Sequence, residues 1–211
     1  MSDITKLSMR TYLEKLASDA PTPGGGSASA MAGALAAALA SMVANLTIGK
    51  KKFATCEAEA VELEAQATQL REKMLQLSDE DAKAFQAFMA CYRLPKNTEE
   101  EQWLRKQYIS AAAKNAAAVP YQIAETALDI LRMTVRLGKI GNPNVVSDAT
   151  VSALLARAAL RGSVYNVLIN LKLTADPAYN VNMENRLEVL QAEAVQLERL
   201  AIQATSDVIE A

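Results

Sequence analysis

Histidine is absent from this chain of 211 residues. Its absence excludes zinc sites built on histidine and a Ser–His–Asp triad, and it leaves no side chain whose unperturbed pKa lies near neutrality. Any acid–base chemistry must therefore come from carboxylates, lysines or tyrosines whose pKa values are shifted by their surroundings.

Cysteine is also scarce, and the numbers of acidic and basic side chains are nearly equal. Cys56 and Cys91 have no C-x-x-C spacing, which indicates free thiols in a reducing compartment. With 22 basic and 24 acidic side chains, the chain shows no basic footprint for nucleic acid. The N-terminal residues lack the charged-then-apolar order of a signal peptide. We expect a cytoplasmic protein that binds neither metal nor nucleic acid.

Strand signals are nearly missing, whereas apolar residues recur at helical spacing through most of the chain. Helices are predicted at 5–18, 27–49, 56–91, 98–137 and 147–173, with a last one whose apolar positions run from Met183 to Val208. Ser27 is the expected N-cap of the second helix, and Pro120 is expected to kink the fourth. The sequence predicts one all-α domain over 1–211, a bundle of about six helices.

The stretch between Asp19 and Lys50 carries no charge. Its length would suit a membrane span, but Ala, Ser and Gly gain little in lipid and Asn45 lies near its end. We therefore predict a central core helix and no membrane association. Its small residues Gly33, Ala37 and Ser41 would let a backbone of the same chain or of a second subunit approach closely.

The same stretch opens with Gly24, Gly25 and Gly26 and is followed by Lys50, Lys51 and Lys52. No GK[ST] follows the glycines, so they are not a P-loop. They are either a linker into a capped helix or bare amides that face a ligand. The lysines either complement the helix C-terminus or hold a polyanionic ligand.

Two carboxylates stand at informative positions. Asp81 occupies a heptad position in the third helix, where an unpaired carboxylate is costly unless it is paired or protonated. It either fixes helix register or is an acid with a raised pKa that donates a proton. Asp148 follows Ser147 in a first helical turn, and it is either an ordinary helix starter or an ionised group that stabilises positive charge.

Three asparagines complete the candidates. Asn166 and Asn170 share one helix face within an otherwise apolar segment, so they are either interhelical amides or contacts for the edge of a heterocycle. Asn142 precedes Pro143 and either forms the turn or binds a ligand.

Several motifs together resemble the cyclodeaminase/cyclohydrolase family of folate enzymes. They are "PTPGGGSASAMAGALAAALASMVANLTIGKKKF" (21–53), "DAKAF" (81–85), "LPKNT" (94–98), "VP" (119–120), "GNPN…SD" (141–148) and "NVLINL" (166–171). They occur in order through most of the chain. The resemblance implies an all-helical protein that forms a homodimer or a higher oligomer and acts on folate, often with a polyglutamate tail.

The resemblance also implies roles for the candidate residues. The glycines and Ser27 would form one wall of the folate pocket, and the lysines would bind the glutamate tail. The polar contacts would come from Asp81, Asn142, Asp148, Asn166 and Asn170. We assign Asp81 as the acid and Asp148 as the ionised carboxylate from their predicted environments. No cofactor beyond the tetrahydrofolate substrate is expected.

The preferred function is formimidoyltetrahydrofolate cyclodeaminase, which releases ammonia and forms 5,10-methenyltetrahydrofolate. Cyclohydrolysis of the methenyl compound passes through a similar bridged carbon and is the alternative. A non-catalytic bundle that binds folate or only self-associates is the further alternative.

Overall fold

A computed structural model describes residues 4–210, so the ends of the predicted domain lie outside the described residues. The α-helices are α1 (Met9–Leu16), α2 (Gly25–Asn45), α3 (Glu57–Cys91), α4 (Glu99–Ile140), α5 (Val146–Leu171) and α6 (Pro177–Ile209). Short 3-10 turns occur at Ile4–Lys6, Lys51–Phe53 and Pro143–Val145. No strand occurs between residues 4 and 210, and the predicted all-α bundle of about six helices is confirmed.

The alanine-rich helix α2 lies at the centre and packs against α3, α4 and α5. Ala36, Ala37 and Ala40 are fully buried, and Gly33 leaves room for Met74 of α3. By length and composition alone α2 could cross a membrane, but 61% of its most apolar window is buried within the bundle. The core helix of a soluble protein can have the same length and composition, because a central helix is apolar on most of its surface.

The heptad pattern of α3 corresponds to its buried face as far as Leu77. Leu63, Ala67 and Met74 are buried there, as predicted. At the next heptad position Asp81 is only partly buried, and Ala82 beside it is buried instead. The buried face therefore shifts where the polar residue enters the pattern.

The long helix α4 begins with a capping box and continues through Pro120. Thr98 Oγ1 accepts a hydrogen bond from the Glu101 amide, and the Glu101 carboxylate accepts one from the Thr98 amide. Proline has no N–H, so the Ala116 carbonyl has no intrahelical partner at position 120. This freed carbonyl contributes to the candidate site.

Several predicted helix boundaries are wrong. The first helix begins at Met9 with Ser8 as its N-cap, after a separate 3-10 turn. Gly24, and not Ser27, caps α2, because two further glycines adopt helical geometry before the serine. Val145, and not Ser147, precedes α5, and α4 extends past 137 to Ile140.

Candidate active site

A cleft opens where the N-terminal end of α2 meets α3, α4 and α5. Its volume is about 250 Å³. The lining consists of Pro21, Thr22, Gly24, Gly25, Gly26, Asp81, Phe85, Phe88, Ala116, Asn166, Ile169, Asn170 and Leu173. A second groove shares Pro21 and Phe85 with this cleft and continues along α3 to Arg93. The two together form an extended slot with polar groups at one end and apolar walls.

Asp81 projects from α3 onto the first turn of α2. A β-carbon at position 26 would overlap the Asp81 carboxylate, so only glycine allows the carboxylate to approach this backbone. The Ser27 amide, one of the free N–H groups at the start of a helix, faces this carboxylate and lowers its pKa. Gly26, the last residue of the triglycine, therefore has a steric function and is more than part of a linker.

The Asp81 carboxyl is poised to exchange a proton near neutrality. Burial raises its pKa from 3.8 to about 6, and the Ser27 amide opposes this rise without cancelling it. A carboxyl of this kind is protonated in a useful fraction of molecules and can donate its proton to a leaving group.

Two amide side chains of α5 face the cleft with fixed orientations. Asn166 Nδ2 donates to the Gly162 carbonyl at 2.8 Å. Asn170 Nδ2 donates to the Asn166 carbonyl at 2.8 Å and to the Ala116 carbonyl at 3.0 Å. Since carbonyls accept only from the NH₂ group, these contacts direct the Oδ1 atoms away from the backbone as acceptors.

Proline at position 120 explains part of this arrangement. Asn170 binds the Ala116 carbonyl. Any residue other than proline at position 120 would donate its backbone N–H to this same carbonyl. Pro120 thus contributes to the orientation of Asn170 through the carbonyl of Ala116, a residue that lines the cleft.

The remaining predicted site residues lie at the other end of α2. The Asn142 amide donates to Thr47 Oγ1 at 3.0 Å, and Asn142 Nδ2 donates to the Leu46 carbonyl at 3.3 Å. Lys50, Lys51 and Lys52 are exposed just beyond this point, and Asp148 is in the first turn of α5.

The predicted residues therefore fall into two groups, which we call the acid end and the lysine end. The acid end contains Gly24 to Gly26, Asp81, Asn166 and Asn170, with Ser27 buried directly beneath it. The lysine end contains Lys50 to Lys52, Asn142 and Asp148. A helix of 21 residues rises about 30 Å, so one copy of the chain does not bring the two groups together.

The apolar lining of the cleft was not identified from the sequence. Phe85 follows Asp81 by four residues and Phe88 by seven, so all three lie on one helix face. Ser78, three residues before Asp81, lies on the same face and hydrogen bonds to Ser27 Oγ at 2.6 Å. Helical spacing around Asp81 was the signal that could have identified them.

Comparison with known proteins assigns the chain to a family. The Formiminotransferase-cyclodeaminase family model matches residues 8–189. A methenyltetrahydrofolate cyclohydrolase from Methylorubrum extorquens is 42% identical over 88% of this chain and 89% of its own length. The chain belongs to this family.

Other members of the formiminotransferase-cyclodeaminase family differ in length. The formimidoyltransferase-cyclodeaminase of Sus scrofa is 34% identical over 88% of this chain, but this chain spans only about a third of that protein. The crystal structure of formiminotetrahydrofolate cyclodeaminase from Thermotoga maritima superposes with a TM-score of 0.88 at 31% identity. That match covers 98% of this chain and 99% of the other.

Proposed function

We propose that this protein is a folate enzyme that acts at the one-carbon bridge between N5 and N10 of tetrahydrofolate, with Asp81 as its general acid. The observation that carries the proposal is a partly buried carboxyl, with a pKa of about 6, in a cleft that also presents two amide oxygens. The named relatives that act on methenyl- or formiminotetrahydrofolate support the choice of substrate.

Cyclodeamination uses such an acid directly. N10 attacks the formimidoyl carbon and forms a tetrahedral centre that bridges N5 and N10. The imino nitrogen takes up the proton that N10 releases and becomes an amine; when it receives one more proton, the C–N bond breaks and ammonia leaves with the bonding electron pair. Asp81 supplies a proton to the departing amine, and its carboxylate then lies beside the methenyl cation that remains.

The shape and polarity of the cleft suit the pterin ring. Phe85 and Phe88 provide aromatic surface for a planar heterocycle. The Oδ1 atoms of Asn166 and Asn170 are acceptors for the N–H groups along the pyrimidine edge of the pterin. The adjoining groove toward Arg93 provides space for the rest of the molecule.

Cyclohydrolysis is the second candidate, because the relative with 42% identity over nearly its whole length is named as a cyclohydrolase. In this reaction water attacks the methenyl carbon, and N5 departs from a similar tetrahedral centre with a proton. The same carboxyl serves both reactions, since each needs a protonated nitrogen leaving group.

We also propose that a second copy of the chain completes the site. Apolar side chains remain exposed at helical spacing on the neighbouring helices α2 and α5. They are Leu35, Met42, Leu46, Val151, Leu154, Tyr165 and Ile169. An exposed apolar surface beside an uncharged helix is typical of a subunit interface.

A dimer through this surface would join the two ends of the site. A two-fold axis that crosses α2 near its middle makes the two copies of the helix antiparallel. The acid end of one copy then faces the lysine end of the other. In this arrangement the partner supplies Asn142 and Asp148 near the reacting carbon, and its lysines bind the glutamate tail of the folate.

One assay distinguishes the candidate functions. Purified protein is mixed separately with formimidoyl- and methenyltetrahydrofolate, and methenyl absorbance and ammonia are followed together. Ammonia release with rising methenyl absorbance identifies cyclodeaminase. Accelerated methenyl loss without ammonia, with formyl product confirmed, identifies cyclohydrolase. No turnover of either substrate would contradict the proposal and leave a binding protein.

The variant Asp81→Asn tests the role of the acid in the same assay. It keeps the size and hydrogen-bonding capacity of the side chain but cannot transfer a proton. We expect turnover to fall by roughly 10²–10⁴-fold, the usual contribution of a positioned general acid. Near-normal turnover in a correctly folded variant would remove Asp81 from the mechanism.

A further inference from the structure

A buried chain of hydroxyl groups lies behind the Asp81 carboxylate. Tyr12 Oη is 3.3 Å from Ser27 Oγ, and Ser27 Oγ is 2.6 Å from Ser78 Oγ. Ser27 and Ser78 are fully buried, and Tyr12 is 4% exposed. The three hydroxyls come from α1, α2 and α3, so the chain joins three helices beneath the cleft.

Ser27 connects this chain to the acid. Its hydroxyl bonds to Tyr12 and Ser78, while its backbone amide faces the Asp81 carboxylate and lowers the pKa of that group. The neighbouring residue Gly26 packs directly against the Asp81 carboxylate, so a displacement of Ser27 would change how this turn of α2 meets the carboxylate. The hydroxyl of Tyr12 is the outermost member of the chain and restrains Ser27 from the side of α1.

The segment that carries Tyr12 is fastened to α3 at a separate point. The amide of Ile4 donates to Asp79 Oδ1 at 2.7 Å, and Thr5 Oγ1 donates to Asp79 Oδ2 at 2.8 Å. Tyr12 and Ile4 also pack with Ala82 in a small apolar cluster. These contacts hold α1 over the back of Asp81, so the tyrosine hydroxyl is not required to attach the helix.

We propose that Tyr12 is a positioning residue, which holds the Asp81 carboxyl in place for proton transfer by restraining Ser27. The inference rests on the proposed function of Asp81 as the acid. Tyr12 does not line the cleft, so it acts on the substrate only through Asp81.

Among residues 4–210, no charged side chain is a cause of the raised pKa of Asp81, which comes from burial. From α1, Tyr12 is the titratable group that faces it, and Asp81 in turn raises the pKa of the Tyr12 hydroxyl, whose burial is the larger cause. Arg10, Glu14 and Lys15 of α1 are exposed. The N-terminal end of α2 contributes uncharged backbone, and α5 contributes the neutral amides of Asn166 and Asn170.

The test compares Tyr12→Phe with Tyr108→Phe, which removes the hydroxyl of an exposed tyrosine in α4. Loss of the Tyr12 hydroxyl removes a restraint on Ser27. The Ser27 N–H then stabilises the ionised carboxylate less, so the pKa of Asp81 should rise. We expect kcat to fall by about 10- to 100-fold in Tyr12→Phe, with little change in KM, because the acid is displaced while the pocket walls remain. The alkaline limb of the pH–rate profile should move to higher pH, and Tyr108→Phe should match the wild type.

Two further measurements separate this proposal from the proposed function and from a folding defect. The Asp81 carboxyl is titrated by ¹³C NMR in the wild type and in Tyr12→Phe, which requires no turnover. A raised midpoint in the variant supports the positioning role even if the wild type turns over neither folate. Ser27→Ala and the double variant Tyr12→Phe/Ser27→Ala complete a double-mutant cycle. If the loss of kcat in the double variant differs from the sum of the two single losses, both residues act through one chain.

Two outcomes would overturn the proposal. One is a Tyr12→Phe variant with the kcat and carboxyl titration of the wild type. The other is a loss of activity that accompanies loss of helical circular dichroism or a lowered melting temperature, with an unchanged Asp81 titration, because this would show a purely structural role.

Discussion

The Asp81 carboxylate occupies the space that a β-carbon at position 26 would need. The first turn of α2, which has no side chain at position 26, therefore leaves the space that the Asp81 carboxylate of α3 fills. This close approach also brings the Ser27 amide toward the carboxylate, where the amide lowers the pKa of Asp81. Glycine at this position is a requirement of the site, and helix propensity alone would favour alanine.

Gly26→Ala should damage activity without unfolding the protein. The new methyl group displaces the Asp81 carboxyl, and displacement of an acid by about 1 Å can cost about 100-fold in turnover. The measurement is kcat with circular dichroism on the same samples. Gly138→Ala is the control, since its β-carbon would make an ordinary contact with Ala204 at 3.6 Å. Equal activity in the two variants would contradict the steric role of Gly26.

Asp81 should make stability depend on pH in a defined direction. Its pKa is about 6 in the folded protein and 3.8 in the unfolded chain, so the folded state binds the extra proton between these values. Its contribution to stability is therefore fully present below about pH 4 and is lost as the pH rises through 6. We expect Asp81→Asn to gain about 2 kcal/mol relative to the wild type between pH 4 and 7. Urea unfolding at both pH values measures this difference, and parallel behaviour of the two proteins would refute it.

Pro120→Ala should disturb Asn170 from a distance. The alanine amide can donate to the Ala116 carbonyl and compete with Asn170 Nδ2, which now binds it at 3.0 Å. Helix stability should be unchanged or higher, because a proline inside a helix is unfavourable. Folate affinity should nevertheless fall by several fold, on the scale of one hydrogen bond of about 1 kcal/mol. Calorimetric titration measures the affinity, and an unchanged Kd would indicate that Asn170 is held by its other contacts.

Replacement of Lys50, Lys51 and Lys52 by glutamine should weaken polyglutamylated folate far more than the monoglutamate. Exposed lysines attract anions through screened charge, so the difference should diminish as salt is raised. A variant that removes three positive charges elsewhere, at Lys96, Lys106 and Arg199, is the control. Equal weakening of both ligands would place the lysines away from the glutamate tail.

Mixing two inactive variants should restore activity if the site is shared between subunits. Asp81→Asn and Asp148→Asn each spoil every site in their own homodimers. After exchange of subunits, a mixed dimer contains one site with both carboxylates intact, which gives about a quarter of wild-type activity in a random equal mixture. Light scattering should show a dimer or larger species at micromolar concentration. No recovery after verified exchange, or a monomer in solution, would argue against the shared site.

Much of the fold was predictable because the apolar spacing is regular. The heptad positions of α3 correctly predicted its buried face and singled out Asp81 as an exception. The start of α2 was placed wrongly, since a serine after three glycines is a common N-cap pattern. In the structure the Ser27 hydroxyl is turned inward to Ser78, which only the packing of two helices could reveal.

The grouping of the candidate residues was less predictable. A straight helix between Gly25 and Lys50 already implies that its two ends lie about 30 Å apart. The family resemblance placed residues from both ends in one pocket, and helix geometry within one chain does not. The hydrogen bond of the Tyr12 hydroxyl was not predictable from the sequence, because its partner comes from another helix.

The uncharged helix α2 also affects how the protein is made. It is synthesised before α5, on which it packs, and α5 begins at Val146, about 100 residues after α2 ends. At a translation rate of about 5–20 residues per second, the nascent helix waits roughly 5–20 s for that partner. During this interval its alanine-rich surface is exposed near the ribosome. Chaperone engagement of the nascent chain should therefore be concentrated on this helix and should end as α5 emerges.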